Sequence, residues 1–145
     1  MNAPADPDFA TRIRASFGRQ KAMALIGASL ATVAPGAVEI ALPFREDLTQ
    51  QKGFVHGGII GMIADTACGY AAFSLMPAGC SLVTVEYKIN ILAPATSALV
   101  ARGEVVKAGR TLTVAHAEVY AQDRTHVATM QQTLMMLAGR PDHPE

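Results

Sequence analysis

Between Gly53 and Met76 the chain reads GFVHGGIIGMIADTACGYAAFSLM, and this stretch leaves few ways to fold the rest. It is almost wholly apolar or small, opens on His56-Gly57-Gly58, and holds one acid, Asp65. Read as a helix of about five turns, it brings residues three and four apart onto one face, so Gly58, Gly61, Asp65, Gly69 and Ala72 form a stripe. Glycine inside a helix costs roughly 1 kcal/mol relative to alanine. A helix carrying several on one face is therefore expected to admit other backbone very closely there. Its remaining face, Ile59, Ile63, Thr66, Tyr70 and Phe73, is expected to pack on a sheet. A lone carboxylate on such a stripe needs a partner or a task. The plain alternative is a structural aspartate bonded to nearby backbone.

Sheet strands are legible on both sides of this helix. Ala34-Pro35-Gly36 is a turn signal between apolar, β-branched runs, which predicts a hairpin over about 28–34 and 37–44. Residues 45–55 form a polar approach loop that delivers Gln50 and Gln51 near the helix N-terminus. After Pro77-Ala78-Gly79, Val83, Val85, Tyr87, Ile89 and Ile91 alternate with Thr84, Glu86, Lys88 and Asn90, one apolar face against one polar face. Ala93-Pro94-Ala95 ends that strand. Three more are expected at about 97–107, 111–121 and 125–137, completing a four-stranded antiparallel meander. A short helix over 9–18 precedes the hairpin, residues 21–26 are ambiguous, and residues 1–8 and the last eight read as loose tails. The whole, 1–145, reads as one α+β domain with its core at about 28–137.

Composition narrows the partners. The chain is 50% hydrophobic and only 17% charged, which suggests extra surface buried between subunits. Its 12 basic and 12 acidic residues cancel, so no basic field invites nucleic acid. The apolar run 59–76 nearly matches a bilayer in length, but Asp65 and its glycines weigh against a membrane helix and nothing basic flanks it. The N-terminus lacks the basic-then-apolar order of a signal peptide. Cys68 and Cys80 have no metal-ligand companions, and a reduced, cytoplasmic protein is expected.

Gly53, His56-Gly57-Gly58, Ala64-Asp65-Thr66-Ala67, the strand from Val83-Thr84-Val85 to Ala93-Pro94-Ala95, and Gly109-Arg110-Thr111 together carry a family resemblance. Over about residues 30–137 the chain resembles the hotdog-fold acyl-CoA thioesterases of the phenylacetate-degradation (PaaI-type) branch. The resemblance implies a curved antiparallel sheet wrapped around one long central helix. It implies side-by-side homodimers, often paired into dimer-of-dimers tetramers, with the His-Gly-Gly segment of one subunit facing the acid of the other. The implied reaction is hydrolysis of an acyl-CoA thioester (aryl, phenylacetyl-type or medium-chain) to a free acid and coenzyme A, without metal or organic cofactor. Two other readings are a non-catalytic acyl-CoA-binding module and a hotdog acyl-carrier dehydratase, though the His-Phe-Pro context of the latter is missing.

Thioester hydrolysis needs a group that activates or becomes the nucleophile, and donors for the carbonyl oxygen as it gains charge. Asp65 is the expected acid, as general base or direct nucleophile. Gly57 N–H, at a helix N-terminus, is the expected carbonyl donor, with Gly58 beside it. Gln50 is expected to orient water or thioester, with Gln51 as competitor; many relatives carry Asn at the Gln50 position. Thr84 matches a Ser or Thr that helps hold water in relatives, against plain strand propensity. His56 invites a dyad with Asp65, but the resemblance implies a mostly structural role. Lys107 and Arg110 flank a hairpin turn where relatives contact the nucleotide, and Lys88 and Asn90 lie on the polar strand face; all four are weighed against ordinary solvated residues. Phe54, Met62, Tyr70, Met135 and Met136 are candidates for an acyl pocket. His116, His126 and His143 lack ligand spacing, so no metal is expected.

Overall fold

The computed structural model describes residues 3–143; the outermost parts of both expected tails lie outside them. Helices α1 (Phe9–Gly18) and α2 (Lys21–Ile26) lead into the hairpin β1 (Ser29–Ala34) and β2 (Ala37–Leu42). A single 3₁₀ turn, Glu46–Leu48, precedes α3 (Gly57–Phe73), and β3 (Ser81–Ile91), β4 (Leu99–Ala108), β5 (Leu112–Ala121) and β6 (His126–Leu137) follow. All six strands join one antiparallel sheet in the order β1-β2-β4-β5-β6-β3.

The order departs from a four-strand meander. Of the four strands after α3 only β4, β5 and β6 run as consecutive neighbours; β3 pairs with β6 at the sheet edge, and β4 pairs with β2. The connection through Ala93-Pro94-Ala95 therefore crosses the sheet end instead of making a hairpin. It passes the start of α3, where Val55 N–H donates to Ala95 O (2.9 Å).

The close backbone approach between helix and sheet exists, but on another face and through another glycine. A Cβ on Gly103 of β4 would lie 2.3 Å from the Ala67 carbonyl carbon and 2.6 Å from Cys68 N. Ile60, Ile63, Ala64, Ala67, Cys68 and Ala71 are buried along α3, and Gly103 lets it settle directly onto the strand. Of the residues expected on the sheet, Ile63 and Phe73 are buried in the core, but Ile59 is only half-buried. Tyr70 turns toward α1, 6.0 Å from Phe17 between ring centroids. The glycine stripe meets no foreign backbone. At Gly61 an added Cβ would reach only the Tyr87 hydroxyl (3.8 Å), and at Gly69 only Leu134 Cδ2 (4.0 Å).

Arg12 fastens α1 to the end of α3. Its guanidinium lies 4.3 Å over the Phe73 ring and donates to the carbonyls of Phe73 (3.1 Å), Met76 (2.7 Å) and Pro77 (2.7 Å). A cation there satisfies carbonyls that the helix leaves open and complements its dipole. The tails are not wholly loose: Asp6 pairs with Arg12 (3.2 Å) and Asp142 returns to Arg19 (2.9 Å).

β3 carries a bulge. Thr84 pairs with Leu134 and Glu86 with Thr133, which leaves Val85 as the extra residue. An inserted residue inverts the two-residue alternation beyond it. Leu82 and Thr84 therefore share the helix-facing side with Tyr87, Ile89 and Ile91, while Glu86, Lys88 and Asn90 fall on the outer side. The expected single polar face of β3 is thus divided: Thr84 points inward, away from Lys88 and Asn90.

Candidate active site

Asp65 projects from the middle of α3 into a cleft of about 350 Å³ between that helix, α1 and the start of β3. The cleft wall includes Gly69, Tyr70, Phe73, Leu82 and Thr84, with Arg19 and Asp142 also lining it. Two strand residues hold the carboxylate. Thr84 Oγ1–H donates to Asp65 Oδ1 at 2.9 Å. Gln132 of β6 donates from Nε2 to the same oxygen and, at 2.8 Å, to Thr84 Oγ1. The three side chains close a ring of hydrogen bonds on Oδ1. Among the described residues none bonds Oδ2, so one carboxylate oxygen is fixed while the other has a free lone-pair edge.

Gln132 was absent from the sequence-based candidates, yet it is the polar residue tied to both Asp65 and Thr84, and it is only 1% exposed. A signal for it exists: Ala128, Met130 and Leu134 are buried at two-residue spacing on β6, so Gln132 is a lone amide on an apolar parity. Its Oε1 is buried without a partner among the described residues.

The other half of the candidate set gathers at the start of α3. His56 is the N-cap: its Nδ1 accepts the Gly58 N–H at 2.8 Å. That bond places a neutral ring's proton on Nε2. It also occupies the Gly58 N–H, which leaves Gly57 as the open amide at this helix start. Gly58 instead leaves room, since a Cβ there would lie 3.0 Å from the His56 ring. Gly57, exposed at the first helical position, has no partner for its N–H among the described hydrogen bonds. It points an open backbone donor outward at the positive end of the helix.

Gln50 belongs to this half and does not meet Asp65 within the chain. Its Oε1 accepts from Lys52 N–H, and it lines a separate surface recess with Phe44, Glu46, Gln51 and Gly53. Lys88 and Asn90 bond each other (Nζ to Oδ1, 2.9 Å) on the outer sheet face. Lys107 and Arg110 are exposed around the β4–β5 turn. The structure does not gather these four into one patch. Of the acyl-pocket candidates, Tyr70 lines the Asp65 cleft. Its hydroxyl bonds Ser16 Oγ and Gln20 Nε2, each at 3.0 Å. Burial raises its phenol above the ordinary range more than those bonds lower it, so the hydroxyl stays protonated. About one turn along α3 from Asp65, burial and then the Asp65 and Glu118 carboxylates push the Cys68 thiol up to about 12. No group of three or more His, Cys, Asp or Glu among the described residues is placed to hold a metal. No helix of the described residues is long and apolar enough to cross a membrane.

A family model for the thioesterase superfamily matches residues 52–128, the segment from the approach loop through α3 to the start of β6. The chain belongs to the thioesterase superfamily. It is similar to a thioesterase family protein of Silicibacter pomeroyi, with 50% identity over 90% of this chain and 99% of the other, at a TM-score of 0.87. A Halobacterium salinarum protein with a provisional esterase name is 31% identical over 117 residues, covering 77% of this chain and 78% of its own. The Escherichia coli PaaI protein of the phenylacetic acid degradation operon shares the fold, at a TM-score of 0.86 over 94% of this chain and 99% of its own, with 20% identity. This superfamily's hotdog fold is the architecture described above: a long antiparallel sheet packed on one central helix.

Proposed function

We propose that this thioesterase-superfamily protein hydrolyses an acyl-CoA thioester of aryl, phenylacetyl-type or medium-chain acyl groups, as in the PaaI-type branch, using sites built from two copies of a single-domain chain. One observation carries the reading. Asp65 is a carboxylate with one oxygen fixed by Thr84 and Gln132 and the other open to a cleft.

The two chemical halves lie apart within one chain. Gly57 and Asp65 are eight residues apart on α3, roughly 12 Å along the axis at 1.5 Å per residue. An oxyanion donor and a base must both lie about 3 Å from the reacting atoms. A second copy bringing its Gly57 to this Asp65 supplies the missing half. The edge strand β3 supports such pairing. Val83, Val85, Tyr87 and Ile91 are half-exposed along it, Leu92 follows at 52%, and its outer backbone edge has no neighbouring strand among the described residues. Long apolar edges are normally covered.

In this arrangement Asp65 Oδ2 takes a proton from water as the water oxygen bonds the thioester carbon. The carbonyl oxygen becomes an oxyanion and accepts from the Gly57 N–H of the other copy. Its collapse breaks the C–S bond, and the departing thiolate receives the proton held by Asp65. Attack by Oδ2 itself, giving a mixed anhydride that water then opens, uses the same geometry.

Incubation with a panel of acyl-CoAs and a thiol reagent tests the reading. Release of free coenzyme A from aryl or medium-chain thioesters is expected, and binding without release from any of them contradicts it.

A further inference from the structure

The structure assigns Gly69 the part of a specificity-determining residue, whose missing side chain leaves the space in which the acyl group lies. The inference rests on the cleft beside Asp65 being the acyl site of the reading above.

Gly69 lies one turn after Asp65 on the same face of α3 and lines the same cleft. Nothing in the fold demands a glycine there. Its backbone is helical and is not among the positive-φ glycines. An added Cβ would touch only Leu134 Cδ2, at the ordinary distance of 4.0 Å. Gly103 is the contrast, since a Cβ there would strike helix backbone at 2.3 Å. A mid-helix glycine costs roughly 1 kcal/mol relative to alanine, so Gly69 weakens α3 without a packing return. What it leaves is open cleft floor.

The walls define what fits. From Asp65 the cleft passes over Gly69 to Phe73, with Leu82 on the strand side and the polar Ser16, Arg19, Gln20 and Asp142 along its rim. Asp65 to Phe73 spans roughly 12 Å of helix. A carbonyl carbon beside Asp65 would therefore send its acyl carbons over Gly69 and along Leu82 toward the Phe73 end of the cleft. The Tyr70 hydroxyl is already engaged by Ser16 and Gln20. The group selected is one long enough to lie over Gly69, an arylacetyl or medium-chain acyl, in preference to acetyl.

Two non-hydrolysable thioethers of coenzyme A, phenacyl-CoA and S-ethyl-CoA, provide the test by titration calorimetry, since binding does not depend on turnover. In Gly69→Leu the affinity for phenacyl-CoA relative to S-ethyl-CoA is expected to fall by about tenfold or more, the effect of one well-packed apolar group. In Gly69→Ala the melting temperature is expected to rise by about 1–4 °C, as for a glycine that no packing demands. Parallel loss of both thioethers, no change in their ratio, a lowered melting temperature in Gly69→Ala, or a smaller sedimentation mass for Gly69→Leu than for the wild type would each overturn the assignment. Selective loss of phenacyl-CoA in a protein that hydrolyses no acyl-CoA would uphold the assignment and sink the hydrolase reading instead.

Discussion

Gln132 on β6 reaches Thr84 on β3 through an Nε2–Oγ1 hydrogen bond of 2.8 Å, and the pair then converge on one oxygen of Asp65. Sheet and helix meet in this contact, because the two strands are neighbours and the carboxylate comes from α3. Gln132 touches Asp65, the proposed base, so the role proposed for it is to position that carboxylate.

Gln132→Met keeps the volume and removes both donors. A hydrogen bond to a charged group contributes about 1.5–3 kcal/mol, so kcat is expected to fall by roughly 10–100-fold. Stability should hold, because the substitution also removes the buried, unpartnered Oε1. Steady-state kinetics and thermal unfolding on one preparation check this. A folded variant with unchanged kcat would show that the clamp is not needed.

Gly103→Ala should act in the opposite sense to Gly69→Ala. A methyl 2.3 Å from the Ala67 carbonyl carbon forces α3 off β4. Overpacking of a core costs typically 1–3 kcal/mol, a loss of roughly 2–12 °C in melting temperature for a chain of this size. An unchanged melting temperature would mean that helix and strand do not approach this closely.

Cys68 should be inert toward thiol reagents at pH 8 while the protein is folded, and should react once it is unfolded. Its thiol is raised from 9.0 to about 12, burial being the main cause, so the folded chain favours the protonated form. That contribution is fully present below pH 9 and is lost as pH rises from about 9 toward 12, where only the unfolded chain ionises readily. Denaturant titrations of wild type and Cys68→Ala across this window should show the wild type losing stability more steeply. Equal slopes, or rapid labelling of native Cys68, would place the thiol at the surface.

The central helix, the first hairpin and the later strands were legible because each has its own period: a long small-and-apolar run, a Pro-Gly turn, and two-residue alternation. Asp65 stood out as a lone acid in that run. Simple alternation puts Thr84 on the face of Lys88 and Asn90, whereas the Val85 bulge, which arises from pairing with β6, turns it inward. Alternation on β6 puts Gln132, not Gln131, on the apolar parity with Ala128, Met130 and Leu134, but that Gln132 reaches Asp65 and Thr84 follows only from the pairing of β3 with β6. The glycine stripe predicts a close backbone contact, whereas that contact belongs to Gly103, a distant residue that meets the helix only in three dimensions. The place of β3 at the sheet edge likewise rests on pairings between segments far apart in sequence.

The most direct measurement is subunit complementation between Asp65→Asn and Gly57→Pro. Proline suits the first helical position, lacks the N–H, and follows a His56 whose ψ of 135° it accepts. A Cβ at Gly57 would meet only Ile91 Cγ1, at 3.9 Å. Refolded alone, each variant should retain about 1% of wild-type kcat or less, from the loss of base or oxyanion donor. Refolded together in equal amounts, an intact site needs Gly57 from an Asp65→Asn chain, one chance in two, and Asp65 from a Gly57→Pro chain, again one in two. About a quarter of wild-type activity should return if sites are shared across a symmetric pair. Activity that stays at the mean of the two separate variants would place both groups in the same chain and contradict the two-copy site.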